Sequence, residues 1–471
     1  MPAAPPGGQA QVALIADGLA AFAARAAALR AATTSADLQY YIWRGDLTGM
    51  LLAREVLRAA DRGVRIRLLL DDMYAVGAER VLAAMESHPQ VQVRLFNAVS
   101  WRRFGPPGLL LEMLFGGWHL DRRMHNKAWI IDGQVALAGG RNIGDEYFDA
   151  SRLFNFHDLD LLLRGPPVDD MAAVFDRFWN HPLSKPLRRV SRAAYRRRAL
   201  RRLARRLEAA SASPAARPYM DRISAAPAVA GLLAGEADSG VLTLDPGAVR
   251  VLADPPGKAK GKAPAAECLA PAVHGALHAA RTDALIISPY FVPGEQGADQ
   301  LIGLLRRGVR VSIVTNSLAA TDVIVVHGGY ARHRERLLAA GAELHELKPG
   351  GREGVSVFGS RSASLHTKAF VIDGRLGFVG SFNLDQRSIA LNTEMGTFVE
   401  DPRLAALLRQ EHDRLTQPSC AWRVRLDPAG GLRWTTLADG REVETRQEPE
   451  ASLGLRVLAR LLRLLPIESK L

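Results

Sequence analysis

The sequence predicts an α/β protein: two duplicated halves with mixed sheets, packed around one shared active site. Three observations carry that prediction. Residues 38 to 70 (LQYYIWRGDLTGMLLAREVLRAADRGVRIRLLL) and 285 to 315 (LIISPYFVPGEQGADQLIGLLRRGVRVSIVT) each read as a strand, a helix ending at a glycine cap, and a buried strand, with Gly63 and Gly308 as the caps. A strand, helix, strand unit calls for a parallel pair with a right-handed crossover. Each unit runs on to the same polar motif, MHNKAWIIDG at 124 to 133 and LHTKAFVIDG at 365 to 374, and the offsets agree: 245 residues between the glycines and 241 between the histidines.

The elements follow in chain order. Residues 1 to 34 read as a loose start and an amphipathic, Ala-rich helix; no basic leader precedes the apolar stretch and Asp17, Arg25 and Arg30 interrupt it, so no signal peptide is expected. The first half spans 35 to 184. Residues 185 to 245 hold an arginine-dense helix and an Ala/Ser/Pro linker, read either as a solvated face or as a binder of anionic headgroups. The second half spans 246 to 420. In the final segment, 421 to 471, Arg456, Arg460 and Arg463 share one face of an amphipathic helix whose other positions are leucine-rich, as in a helix lying in a headgroup layer or one docked on its own protein.

Composition narrows the partners. With 61 basic against 49 acidic residues the net charge is +12, which favours phosphate-rich surfaces. No segment reaches the roughly 18 apolar residues of a membrane span. Cys268 and Cys420 are too few for a disulfide framework and read as packing residues; no metal or other cofactor is called for.

The motif reads as chemistry. An apolar run, Asp-Gly and a second apolar run signal a hairpin. His366 and Lys368, two apart on a strand, share a face. With Asp373-Gly374 as a two-residue turn, Ile372 pairs with Arg375, Ser381 lies opposite His366, and Asn383 projects on the same side; the first copy places Gly140 opposite His125, with Lys127 and Asn142 following. Asp132 and Asp373 complete the set, as catalytic groups or for the turn alone. Aligning HDLDLLLRGPP with NTEMGTFVEDP at Pro166 and Pro402 superposes Asp158 on Glu394, and a carboxylate on one imidazole nitrogen would fix the tautomer. Two lysines and neutral donors suit a phosphodiester, and two histidines can divide nucleophile from general acid. That is phosphoryl transfer through a phosphohistidine.

HNKAWIIDG and HTKAFVIDG, with GGRN and GSFN after them, resemble the paired HxKxxxxD motifs of the phospholipase D superfamily. YYIWRGDLTG, RGVRIRLLLDD, GGRNIGDEYFD, SPYFVPG, TNSLAATD and GSFNLDQRS are similar to bacterial cardiolipin synthases, especially the subgroup taking phosphatidylethanolamine as donor. The resemblance covers about residue 35 to the C-terminus. It implies two phospholipase D-like halves and transfer of a phosphatidyl group to phosphatidylglycerol. His125 and His366 become the nucleophile and acid pair, with His125 as nucleophile by superfamily analogy, and Lys127, Lys368, Asn142, Asn383 and Ser381 hold phosphate oxygens. Gly140 stands where the superfamily often has serine. The alternative is a hydrolase of the same fold acting on phospholipid or, less readily, nucleic acid, which is not an expected partner. The place expected for it is peripheral, on the cytoplasmic side of the inner membrane, held by the C-terminal helix, the arginine clusters and the stretch GLLLEMLFGGW at 108 to 118, which also reads as core.

Overall fold

The computed structural model describes residues 8–99, 101–104, 106–115, 121–193, 195–224, 228–349, 362–438 and 440–463. Strands form where the apolar runs lie. Ser35–Tyr40 and Arg65–Asp71 pair in parallel across helix Leu47–Asp61, and Asp283–Ile287 and Arg310–Asn316 do so across helix Gly294–Arg306. The first helix opens on Asp46, whose carboxylate accepts the Gly49 amide, and both helices end before a glycine at positive φ, +94° at Gly63 and +81° at Gly308. Only glycine takes that conformation without strain.

The chain folds into two compact units, and neither is contiguous in sequence. One comprises Met1–Ala150, Asp160–Cys268 and Leu391–Thr397; the other comprises Ser151–Leu159, Leu269–Ala390 and Phe398–Leu471. The halves drawn from the sequence were unbroken stretches, whereas the folded units exchange two short segments, 151–159 and 391–397.

The first unit holds a nine-stranded mixed sheet in the order Leu242–Leu244, Ala10–Ile15, Asp160–Arg164, Val135–Gly139, Ala128–Ile131, Ser35–Tyr40, Arg65–Asp71, Val91–Phe96, Ser184–Pro186. Of the start expected to be loose, residues 1–7 lie outside the described residues. Ala10–Ile15 is an internal strand, antiparallel to both neighbours, and helix Gly18–Ala31 is buried nearly all round, so it is a core helix and not an amphipathic one. Its Arg25 is buried because Asp160 meets the guanidinium at 2.8 Å. The arginine-dense helix forms as Arg197–Ser211, which buries Leu203 and Leu207 while Glu208 binds Arg54 and Arg58 at 2.9 and 3.0 Å, and the stretch read as a linker after it carries further helices, Arg217–Ser224 and Ala228–Ala234. Helix Pro106–Phe115 exposes Leu110, Leu111 and Leu114, which argues against the core reading of that stretch; residues 116–118 lie outside the described residues.

In the second unit a mixed sheet runs Leu376–Gly380, Ala369–Ile372, Asp283–Ile287, Arg310–Asn316, Glu343–Leu347, Ala421–Leu426, Leu432–Ala438, Arg441–Thr445. The last three strands lie in what the sequence offered only as a terminal segment. Neither Cys268 nor Cys420 is disulfide-bonded, and Cys420 packs with Leu347 and Leu415. Helix Leu453–Arg463 packs on helix Ile324–Ala339, closely enough that a Cβ on Gly328 would meet the Arg463 amide at 3.3 Å. Two of its arginines bind the protein: Arg456 donates to the Glu448 carbonyl at 3.1 Å and Arg463 lies 3.7 Å from Glu335, while Arg460 is exposed. Ala459 and Leu455 pack inward beside Leu318, whereas Leu453 (74% exposed), Val457, Leu458 and Leu461 (58%) turn outward. Residues 464–466 of the predicted helix lie outside the described residues.

Both motif hairpins form with a register one residue off the expected one. Asp132 and Gly133, like Asp373 and Gly374, have positive φ, and the turns close through Gln134 N–H to Ile131 O (2.9 Å) and Arg375 N–H to Ile372 O (3.0 Å). The ladder nevertheless pairs Ile131 with Val135 and Ile372 with Leu376, leaving Gln134 and Arg375 as extra residues. In consequence Ser381 is not opposite His366, nor Gly140 opposite His125. The cause is a third strand. The Asp132 amide donates to Ser35 O at 2.8 Å and the Asp373 amide to Asp283 O at 3.0 Å, which binds each turn to the neighbouring strand.

Candidate active site

In the first unit His125 leads into strand Ala128–Ile131, and segment 391–397 runs beside it. The His125 amide donates to Thr393 O and the Thr393 amide to Arg123 O, both at 2.9 Å, while Thr393 Oγ1 donates to Asn126 Oδ1 at 2.8 Å. This places Glu394 under the imidazole, with Oε2 2.9 Å from His125 Nδ1. Glu394 is itself bracketed: its amide donates to Asp254 Oδ2 at 2.8 Å and its carbonyl accepts from the Asp254 amide at 2.9 Å, with Lys258 Nζ 2.7 Å from the same carboxylate.

The second unit repeats the arrangement. Phe154–His157 pairs in parallel with Ser362–Leu365, the His366 amide donates to His157 O at 2.8 Å, and Asp158 Oδ2 comes to 2.6 Å from His366 Nδ1. Both carboxylates are fully buried, and the imidazoles keep 10% and 7% exposure. A buried carboxylate on Nδ1 holds a proton there, which leaves Nε2 as the nitrogen that can attack or exchange a proton. The two acids matched by their distance from a proline are thus both on histidines, in a crossed sense: Asp158 serves His366 and Glu394 serves His125.

Each lysine is buried and donates to the carbonyl of the histidine two residues before it, Lys127 to His125 O at 2.5 Å and Lys368 to His366 O. Asn142 Oδ1 accepts from the Ile42 amide at 3.3 Å and its Nδ2 lies 3.0 Å from the Tyr147 hydroxyl. Asn383 is buried, with no partner for Oδ1 among the described residues, and Ser381 is buried beside it. Aromatic rings flank the imidazoles: Tyr41 at 5.1 Å from His125 and Phe156 at 5.0 Å from His366, between ring centroids. Among the described residues no three His, Cys, Asp or Glu side chains are grouped to hold a metal.

Asp132 and Asp373 are elsewhere. Each stands seven residues past its histidine at the turn, roughly 20 Å along extended chain. The Asp132 carboxylate accepts the amides of Thr33, Thr34 and Ser35 at 2.8 to 2.9 Å, and Asp373 accepts those of Arg281, Thr282 and Asp283 at 2.7 to 3.1 Å. Partial burial pushes each carboxyl up, but these amides outweigh it and hold both below the usual carboxylate range. Their catalytic assignment is corrected to a structural one: they fasten each hairpin to its neighbouring strand.

Sequence reasoning missed the groups that aim the histidines. The last residue of strand Arg65–Asp71 accepts the Met124 amide at Oδ2 (2.8 Å) and binds Arg123 at Oδ1 (3.0 Å), and the last residue of Arg310–Asn316 accepts the Leu365 amide at 2.9 Å. Asp71 and Asn316 therefore hold the residue before each histidine. They are 245 residues apart, the offset of the capping glycines, so extending that alignment by eight residues would have found them.

A family model described as "Cardiolipin synthase, PLD-like domain" matches residues 26–179 and 273–416. The chain is 40% identical over 458 residues to cardiolipin synthase C of Escherichia coli (strain K12), covering 96% of this chain and 94% of that protein. It belongs to the cardiolipin synthase family of the phospholipase D superfamily. Cardiolipin synthases of this family are phosphatidyltransferases, acting on phospholipids. The chain is also 26% identical over 390 residues to the cardiolipin synthase of Geobacillus kaustophilus (strain HTA426), spanning 62% of its length. Among solved structures, the phosphatidylserine synthase of Haemophilus influenzae Rd KW20 shares the fold, with a TM-score of 0.63 over 99% of this chain and 96% of that one at 14% identity. The two mixed sheets described above are thus the two phospholipase D-like halves of a cardiolipin synthase family member.

Proposed function

We propose that the protein transfers a phosphatidyl group from a phospholipid donor, phosphatidylethanolamine or phosphatidylglycerol, to phosphatidylglycerol, with both histidines acting on one phosphorus. The observation that carries this reading is the pair of His–carboxylate couples, at 2.9 and 2.6 Å, each with a buried lysine two residues on. In the first step the unprotonated Nε2 of His125 attacks the donor phosphorus, the bond to the headgroup oxygen breaks, and His366, which enters the step as an imidazolium balanced by Asp158, delivers its Nε2 proton to the leaving alcohol. In the second the phosphatidylglycerol hydroxyl attacks the phosphohistidine, gives its proton to His366, and the P–N bond breaks. Lys127, Lys368, Asn142, Asn383 and Ser381 are proposed to hold the phosphate oxygens, where fixed donors stabilise the developing charge. The transfer needs a site that admits a lipid alcohol ahead of water.

The setting proposed is the surface of the cell membrane, on the cytoplasmic side. The outward apolar face of helix Leu453–Arg463 supports it, since such a face suits the headgroup–acyl boundary.

The test is incubation of the purified protein in mixed micelles of the two lipids, with products read by mass spectrometry. Cardiolipin with ethanolamine release is expected; cardiolipin from phosphatidylglycerol alone with glycerol release would change the donor, and phosphatidic acid as sole product would make the protein a hydrolase. His125→Ala and His366→Ala are each expected to lower turnover at least about 10³-fold; near-normal product from either would end the phosphohistidine reading.

A further inference from the structure

The first unit contains an apolar cavity of about 110 Å³ that the site above leaves unused. Helix Leu47–Asp61 supplies Met50 and Ala53 to its wall, strand Arg65–Asp71 supplies Leu70, helix Glu79–Met85 supplies Leu82, and the arginine-dense helix Arg197–Ser211 closes it with Leu207. One residue separates the cavity from the histidine. Tyr41 lines the cavity, and its ring stands 5.1 Å from the His125 ring and 5.5 Å from Lys127 Nζ, between centroid and atom in the second case.

An apolar space of this kind holds water poorly and binds hydrocarbon well. Its surroundings narrow the occupant further. The helix that roofs it turns Leu203 and Leu207 inward and leaves Arg198, Arg201, Arg202 and Arg205 exposed on the other side, with Arg206 at the cavity wall. Hydrocarbon inside and a polycationic roof outside are complementary to an amphiphile with an anionic head. The geometry points to an acyl-chain site: we infer that the cavity takes part of one acyl chain of a phospholipid whose phosphate lies at His125, with Tyr41 as the partition between chain and phosphate. This rests on the phosphatidyl-transfer reading for the identity of the lipid.

The experiment uses the full chain with vesicles of phosphatidylglycerol carrying a diazirine at one acyl terminus, irradiated, digested and mapped by mass spectrometry. Adducts are expected within 41–53, 68–85 and 203–207. Ala53→Phe fills the cavity from its buried wall and Ala78→Phe from its edge, each checked for folding by its thermal melt. Either folded variant is expected to lower the cavity adducts about tenfold, a difference of 1.4 kcal/mol in chain affinity. Adducts confined to Leu453–Arg463, or cavity adducts undiminished in both variants, would overturn the site. The two readings fail separately: cavity labelling without cardiolipin formation rejects the transfer reading and keeps a chain site, and cardiolipin formation without cavity labelling rejects the chain site.

Discussion

At the scale of single residues the two histidines differ chiefly in the acid that backs them. Glu394 and Asp158 touch Nδ1 and not substrate, so both are positioning residues whose removal leaves the imidazole with a choice of tautomer. Glu394→Gln and Asp158→Asn are expected to lower kcat about 10²- to 10⁴-fold and to move the pH profile, with KM little changed; a profile of unaltered shape would show that neither acid governs the imidazole. The hairpin aspartates behave in the opposite way. Asp132→Asn or Asp373→Asn loses a carboxylate held by backbone amides, at an expected cost of about 1–2 kcal/mol in stability once solvent screening is allowed for, with kcat per folded molecule preserved. Because these carboxyls titrate below their ordinary value, their stabilisation is present above about pH 4 and is lost as pH falls through the lowered folded value. Thermal melts across pH 2 to 7 on both variants check this.

Elements were legible where a local period or punctuation mark determined them, and illegible where a distant strand intervened. The capping glycines, the parallel pairs and the Asp-Gly turns were all readable, because each depends on neighbours in sequence. The hairpin register was not: the amide bonds from Asp132 and Asp373 to Ser35 and Asp283 couple each turn to a strand about 90 residues or more away, and the extra residue follows from that coupling. AQVALI at 10 to 15 escaped notice as a strand because both its partners, Asp160–Arg164 and Leu242–Leu244, are far along the chain. Helix Pro402–Leu415 adds a prediction at this scale. Burial raises the Glu411 carboxyl, but His157 at 3.2 Å and Arg414 at 2.8 Å outweigh it and bring it to about 2. Its ion pairing therefore stabilises the second unit above the unfolded value of 4.5 and is lost as pH falls toward 2; Glu411→Gln should flatten the acid limb of the stability curve there, and an unchanged limb would assign acid unfolding to other groups. On helix Leu453–Arg463, Val457→Glu with Leu461→Glu is expected to abolish flotation with phosphatidylglycerol vesicles while leaving the melt unchanged, since both side chains face outward.

For the molecule as a whole, duplication could be read from the chain but the exchange of segments could not. Asp158 and Glu394 were found as a matched pair because each stands eight residues before a proline, yet their matching says only that both halves have an acid, not which histidine each serves. That assignment is a matter of topology, over 208 residues for His366 and 269 for His125. It leads to a prediction: fragments 1–268 and 269–471, expressed apart, should each be inactive, because each lacks the acid for its own histidine, and co-expression should restore part of the turnover. Activity in either fragment alone would contradict the exchange.

The crossed acids also bear on how such a chain could arise. In this chain the carboxylate on each histidine comes from the other repeat, so a gene for one half alone would give the same pairing only if its product traded segments with a second copy of itself. Joining two copies end to end makes the trade permanent and frees the halves to diverge, which Gly140 against Ser381 records. Such divergence has one restriction: an acid and the histidine it holds must change together although they descend from different repeats.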